Sequence, residues 1–102
     1  MYRARDRVEN EEWVAELEAA ADHLDLDEAA TDRATDLFLS TVPEAERSKR
    51  AAVAASLYAG ALIAGDRRSQ SAVADAVGVA RLTVQNRWRD LLCEAGFEAP
   101  NW

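Results

Sequence analysis

The sequence is poor in the residues that build disulfides, metal sites and catalytic centres. Cys93 is the single cysteine of the 102 residues, and His23 is the single histidine. One cysteine excludes an internal disulfide and a paired-cysteine zinc ribbon, and one histidine excludes a two-histidine metal site. We therefore expect His23 on a helix surface, Cys93 as a partly packed helical thiol, and no metal, cofactor or enzymatic activity.

Aromatic residues and long apolar runs are also scarce. Aromatics make up 7% of the chain, whereas hydrophobic residues as a whole, many of them alanine, reach 49%. This balance favours closely packed helices over a β-sandwich. The longest weakly polar run, residues 51–64, is shorter than the roughly 20 apolar residues of a membrane span. The charged N-terminus lacks the apolar stretch of a secretory signal. We expect an all-α, cytoplasmic protein that does not contact membranes.

Lysine is nearly absent, and charge is divided unevenly along the chain. Lys49 is the one lysine among 12 basic residues, against 19 acidic ones. Residues 1–46 carry 14 acidic and four basic side chains, whereas residues 47–102 carry five acidic and eight basic ones. Because the first half repels polyanions, a nucleic-acid-binding face is expected in the second. The acidic, lysine-poor composition resembles that of proteins from salt-loving archaea; an ordinary acidic cytosolic protein is the alternative.

The spacing of apolar residues predicts one domain at residues 9–97, between short tails at 1–8 and 98–102. The third of five predicted helices covers residues 51–64 after an N-cap at Ser48. It is apolar or small all round, so the other helices should surround it. The chain is therefore expected to be a helical bundle with a hydrophobic central third helix.

The first two predicted helices carry most of the acidic residues. The first covers about residues 9–24, and the second follows an N-cap at Asp27 and ends before Pro43. Apolar residues at steps of three and four predict a buried stripe on the first helix. Its members are Trp13, Leu17, Ala20, Ala21 and Leu24.

The last two predicted helices are joined by a tight turn. Ser69 caps a short helix, Gly78 reverses the chain, and a longer amphipathic helix covers about residues 80–95. A short helix, a glycine turn and a longer helix form the helix-turn-helix pattern. On a helical wheel the core side of the longer helix centres near Val84 and Trp88. The side chains expected to point away from the core, and to read DNA bases, are Leu82, Gln85, Asn86 and Arg89.

Three blocks resemble the archaeal transcription factor B (general transcription factor IIB) family. Residues 51–62, AAVAASLYAGAL, resemble that family's alanine-rich AAAxLYxAxxL helix. Residues 68–79, RSQSAVADAVGV, resemble RTQxEVAxxxGV, and residues 82–91, LTVQNRWRDL, resemble VTxRNRYxxL. The likeness extends over about residues 9–95 and is strongest to the family's second repeat. It implies a five-helix cyclin-type fold that ends in a helix-turn-helix.

The resemblance also implies a role in transcription initiation. Factors of this family bridge the TATA-binding protein, promoter DNA and RNA polymerase, and the second repeat places its last helix in the major groove. This sequence shows no zinc ribbon, linker or partner repeat, so we expect a DNA-binding regulator rather than a complete initiation factor. Its expected partners are promoter DNA and the TATA-binding protein or other transcription machinery, with a homodimer as a further option. The alternative is a protein-interaction module that kept the cyclin fold, lost DNA binding, and uses its acidic first two helices.

Residue by residue, the resemblance assigns base reading to Leu82 and Gln85. Leu82 can contact a thymine methyl, and Gln85 suits adenine, whereas the arginine usual in the family suits guanine. Ala80 replaces the family's Thr or Ser N-cap, a loss of about 1 kcal/mol, and Arg81 is expected to compensate by reaching a phosphate. The alternatives are a solvated surface for the arginines and a protein interface for Leu82. The expected phosphate-binding residues are Arg67, Arg68, Ser69, Gln70, Ser71, Arg81 and Arg87.

Overall fold

The computed structural model describes residues 10–97, which form five α-helices and no strand. The helix order confirms the all-α fold class. The tails at 1–8 and 98–102 lie outside the described residues, so the domain boundaries stay a prediction. The helices are α1 (Glu11–His23), α2 (Glu28–Ser40), α3 (Glu46–Ile63), α4 (Gln70–Val77) and α5 (Arg81–Glu94).

Helix α3 is the centre of the bundle, as its composition predicts. Residues 52–61 are all buried, and α3 contacts each of the other four helices. A helix without a polar face is stable in water only when other elements cover it on all sides. Within residues 10–97, no helix combines the length and apolar character that crossing a membrane would need.

Helices α2 and α3 approach closely at Gly60. A Cβ atom built on Gly60 would lie 2.7 Å from both the backbone nitrogen and the Cα atom of Ala34. Both residues are buried, so the two backbones meet where neither helix carries a large side chain. This close contact sets the separation of α2 and α3, because any larger residue at position 60 would push the backbones apart.

Three helix ends follow the sequence expectations. The Asp27 carboxylate accepts a hydrogen bond from the Ala30 amide at 2.8 Å, and the Ser69 hydroxyl accepts one from the Ala72 amide at 3.0 Å. Gly78 ends α4 with a φ of 88°, a left-handed conformation that favours glycine. Ala80 precedes α5 without a side-chain cap. The turn between α4 and α5 therefore depends on Gly78.

The predicted N-cap of α3 at Ser48 is wrong. The helix begins earlier, at Glu46, with Ala45 as its N-cap, and the Ser48 amide donates to the Ala45 carbonyl at 3.0 Å. The Glu46 carboxylate suits this position because it faces the positive end of the helix dipole. The Trp13 indole and then Lys49 donate hydrogen bonds to this carboxylate, which lowers the pKa of Glu46 below its ordinary value.

Trp13 is half-buried, whereas the predicted core stripe included it. Val14 takes the buried position instead. The Trp13 Nε1 donates to the Glu46 carboxylate at 3.0 Å, and the Arg50 guanidinium carbon lies 5.3 Å from the ring centroid. Polar partners of this kind keep an indole at the edge of a core. Cys93 is exposed rather than partly packed, and His23 is exposed, as expected.

We expect Gly60→Ala to destabilise the fold. The added Cβ would meet the Ala34 backbone, so the free energy of unfolding should fall by roughly 1–3 kcal/mol in urea titrations. Ser56→Ala is the control on the same helix. The Ser56 hydroxyl is fully buried and has no hydrogen-bond partner within residues 10–97, so its removal should leave stability unchanged or raise it. A gain of about 1 kcal/mol for Gly60→Ala, as at an open helix interior, would show that the close contact is absent.

Candidate nucleic-acid interface

Helix α5 turns one side to the core and another to solvent. Val84 and Trp88 are buried, at 0% and 3% exposure, whereas Leu82 is 55% exposed. Gln85, Asn86 and Arg89 are exposed as well. The exposure expected from the helical wheel is confirmed, and the role of these residues in reading DNA stays a prediction.

A polar cleft lies between the first half of α5 and the segment that leads into α4. Two buried aromatic rings, Tyr58 of α3 and Trp88 of α5, form its apolar part and meet edge to face at a centroid distance of 5.3 Å. No acidic residue is among the described residues that line it, so the cleft is positively charged. Its polar lining consists of Arg67, Gln70, Arg81, Gln85, Asn86 and Arg89.

Two of the cleft arginines are held by neighbouring side chains. The Arg89 guanidinium carbon lies 5.2 Å from the centre of the Trp88 ring, a cation–π distance. The Arg81 Nη1 donates to the Gln85 Oε1 at 2.7 Å and reaches the Gln70 Oε1 at 3.5 Å. Arg81 therefore links the first residues of α4 to α5 across the cleft.

The N-termini of α4 and α5 lie beside this cleft, and neither carries an acidic residue in its first turn. The first turns of α1, α2 and α3 each contain a glutamate, whereas the first turns of α4 and α5 contain no acidic residue. The amides of Gln70 and Ser71 precede the first intrahelical hydrogen bond of α4, so the helix offers them no acceptor. Since no first-turn carboxylate neutralises the positive dipole ends of α4 and α5, both ends can attract an anion.

Arg68 does not extend toward the cleft. Its Nε donates to the Leu24 carbonyl at 2.9 Å and its Nη2 to the Asp25 carbonyl at 2.9 Å. Its Nη1 donates to the Asp66 carboxylate at 2.7 Å and to the carbonyls of Asp66 and Arg67. These bonds engage both terminal nitrogens and Nε, so we correct the expected phosphate-binding role of Arg68 to a structural one.

The Asp66 carboxylate adds to the hydrogen bonds between the loop before α4 and the α1–α2 connection. One of its oxygens accepts from the Asp27 amide at 3.0 Å, and the other accepts from Arg68. The Asp27 amide and then Arg68 lower the pKa of Asp66 below its ordinary value of 3.8. Asp66 and Arg68 together hold the loop before α4 against the α1–α2 connection, and so position the start of α4.

The other predicted phosphate-binding residues lie in different surroundings. Ser69 and Ser71 are exposed at the start of α4, although the Ser69 hydroxyl is occupied as the N-cap. Arg87 is partly buried on another side of α5 and does not line the cleft. Lys49 and Arg50, which add to the positive charge of the second half of the sequence, pair with Glu46 and Glu16. The cleft therefore concentrates only part of that charge.

Acidic side chains are concentrated on α1 and α2. A shallow pocket between these helices is lined by Glu18, Asp22, Glu28 and Asp32, with Leu26 and Thr31. In the part of the chain that the structure describes, no three His, Cys, Asp or Glu side chains are grouped so that they could hold a metal ion. This surface is negatively charged, in contrast to the cleft.

Sequence reasoning missed the partners of two arginines. Leu24 and Asp25 are 44 and 43 residues away from Arg68 along the chain, and no sequence signal joins them. Gln85 follows Arg81 by four residues, a spacing that puts both on one side of a helix and that the sequence does contain. The first contact needed the fold, whereas the second could have been predicted.

Comparison with known proteins gives consistent matches. The model of the transcription factor TFIIB repeat family matches residues 9–94. Transcription initiation factor IIB of Pyrococcus abyssi is 32% identical over 83 residues, which is 78% of this chain and 28% of that protein. The protein of the same name from Archaeoglobus fulgidus is 36% identical over 52 residues, 51% of this chain and 16% of the relative. Transcription initiation factor IIB 1 of Thermoplasma volcanium is 47% identical over 38 residues, 37% and 12% respectively.

The fold and these matches define a cyclin-like, all-α domain of the kind found in transcription initiation factors. The chain belongs to the transcription factor TFIIB repeat family, as the blocks at residues 51–62, 68–79 and 82–91 predict. It spans less than a third of the length of the curated relatives that it matches.

We expect Asp66→Asn to lower stability at neutral pH and to have less effect in acid. Because folding lowers the pKa of Asp66, its carboxylate stabilises the fold fully above about pH 5. That contribution is lost as pH falls through 3.8 and then through the lower folded value. Urea unfolding of both proteins from pH 7 to pH 3 should therefore show converging midpoints.

The control is Asp36→Asn, which removes the same charge from an exposed position on α2. It should change the unfolding midpoint little at any pH. If Asp66→Asn and Asp36→Asn behave alike, or if the effect of Asp66→Asn grows in acid, Asp66 does not hold the loop in the way described.

Proposed function

We propose that this chain is a transcription factor B-like regulator that binds promoter DNA through α4 and α5, used as a helix-turn-helix. One observation carries the proposal. An exposed strip of α5, formed by Leu82, Gln85, Asn86 and Arg89, borders a cleft that contains arginines and, among the described residues, no carboxylate, in a chain of the TFIIB repeat family. The proposal covers the domain at residues 9–97 and a non-enzymatic role in the cytoplasm.

The exposed strip of α5 suits the reading of base edges, and the cleft suits contacts with phosphates. The side chains of Leu82, Gln85, Asn86 and Arg89 are exposed on α5, the helix that enters the major groove in a helix-turn-helix. There Leu82 contacts a thymine methyl and Gln85 pairs with a base edge. The amides at the start of α4, with Ser69, Gln70 and Ser71, donate hydrogen bonds to one phosphate, and Arg67, Arg81 and Arg87 contact others.

The charge available limits the affinity of the lone domain. Arg67, Arg81 and Arg87 are the candidate phosphate contacts, so the slope of log affinity against log salt is about −2.7. Raising salt from about 50 to 200 mM then weakens binding roughly 40-fold. In the salt-rich cell that the acidic composition suggests, the domain needs a partner. That partner is the TATA-binding protein, other transcription machinery or a second copy of the chain.

A second candidate function rests on the acidic surface of α1 and α2. The carboxylates of Glu18, Asp22, Glu28 and Asp32 lie around one shallow pocket, which suits a basic protein segment. In that case the chain is a protein-interaction module with a cyclin fold that does not bind DNA.

NMR titration with duplex DNA separates the DNA-binding function from the protein-interaction function. Shifts at Arg67, Gln85 and Arg89 support DNA binding, whereas a silent cleft, with α1 and α2 responding to basic partners, supports the alternative.

We expect Arg67→Gln to weaken binding to promoter duplexes of any sequence and to reduce the salt slope by about 1, because one phosphate contact is lost. Fluorescence anisotropy at several salt concentrations measures both quantities. Arg47→Gln is the matched control. Arg47 is exposed near the start of α3, about 24 Å by helical rise from its other end, which leads to the cleft. Equal effects of the two substitutions, or tight binding by the lone domain in molar salt, would contradict the proposed interface.

A further inference from the structure

Arg81 joins the beginnings of α4 and α5 through two glutamine side chains. Its Nη1 lies 2.7 Å from the Gln85 Oε1 and 3.5 Å from the Gln70 Oε1. All three residues line the cleft, and Gln85 belongs to the exposed strip of α5. The side chain proposed to read a base edge is thus hydrogen-bonded to one proposed to contact a phosphate.

We propose that Arg81 is a positioning residue that fixes the orientation of the Gln85 amide and thereby sets a preference for adenine at one position of the DNA site. This inference rests on the proposed DNA-binding function. It adds a specificity role to Arg81, whose expected role from the sequence is phosphate contact alone.

The positive charge of Arg81 lies at an unfavourable position, and its hydrogen bonds offset this cost. It is the first residue of α5, where the helix dipole disfavours a positive charge, and Ala80 supplies no side-chain cap. Charge-assisted hydrogen bonds to the amide oxygens of Gln85 and Gln70 offset that cost. Since neither acceptor carries charge, Arg81 keeps its full positive charge for a phosphate.

Holding the Gln85 oxygen determines which atoms the amide presents. A carbonyl oxygen has two lone pairs, and Arg81 occupies one of them. The second lone pair and the Nε2 donor remain as an acceptor–donor pair. Adenine matches this pair with its N6 donor and N7 acceptor, whereas guanine would set its O6 acceptor against the Gln85 oxygen.

Without Arg81, the amide of Gln85 rotates and loses this selectivity. Rotation about its terminal torsion is broad in an exposed glutamine, and a rotated NH₂ group can donate to the N7 and O6 of guanine. The free chain is therefore preorganised for adenine by a contact that does not touch a base.

The first test needs no DNA. In the NMR spectrum of the free protein, the Gln85 side-chain NH₂ group should be motionally restricted, and the NH₂ group of exposed Asn86 serves as the reference. Arg81→Met, which keeps the aliphatic stem and removes the donors, should make Gln85 as mobile as Asn86. An equally mobile Gln85 in the unsubstituted protein would overturn the inference, whatever the chain does with DNA.

The second test reads base preference directly. Selection from a pool of randomised duplexes, compared with the same selection for Gln85→Ala, identifies the position that Gln85 reads. At that position the unsubstituted protein should prefer adenine over guanine by about tenfold, and Arg81→Met should bring the ratio near one. Arg81→Lys, which retains a charged donor, should restore part of the preference.

Arg67→Gln is the control for loss of charge in the cleft. It should weaken binding to all duplexes equally and leave the adenine-to-guanine ratio unchanged. If Arg81→Met does the same, Arg81 contacts only phosphate and the inference is wrong. A restricted Gln85 amide in a protein that binds no duplex would overturn both the proposed function and the specificity role, while leaving the contact itself in place.

Discussion

Helix α3 offers water no polar side along residues 52–61, so it is stable only when neighbours cover it all round. This burial organises the rest of the structure. The α2 backbone comes close enough at Ala34 that only glycine fits at position 60. On another side, Trp88 packs edge-on against Tyr58 and holds α5 by its apolar face. Because α5 is buried on that face alone, its other side is presented to solvent.

The arginines of the second half of the chain serve different purposes. Arg50 and Arg68 bind carbonyl and carboxylate groups of the fold itself, and Arg68 also holds the loop before α4 against the α1–α2 connection. Arg67, Arg81 and Arg89 line the cleft instead. Net charge along the sequence therefore overstates the charge that a polyanion would meet. The proposed interface would depend more on the placement of a few guanidinium groups and helix ends than on total charge.

The fold could be predicted from the sequence in most respects. The caps at Asp27 and Ser69, the turn at Gly78 and the central helix all act through neighbours within a few residues, so local patterns report them. Local sequence predicts the wrong start for α3, because Ser48 is a good N-cap by residue type. The helix instead begins at Glu46, whose carboxylate accepts a hydrogen bond from Trp13 of α1. That contact spans 33 residues and cannot be read from local sequence.

The sequence by itself determined the class of the protein, the order of its helices and the exposed strip of α5, because helical periodicity and local capping report short-range constraints. Only the tertiary structure decided which acceptors from other segments bind Arg68 and Arg81. A guanidinium group binds the acceptors within its reach, and the packing of separate segments sets which of these come from elsewhere in the chain. Arg68 donates to the carbonyls of Leu24 and Asp25, and Arg81 reaches from α5 to the amide oxygen of Gln70 on α4.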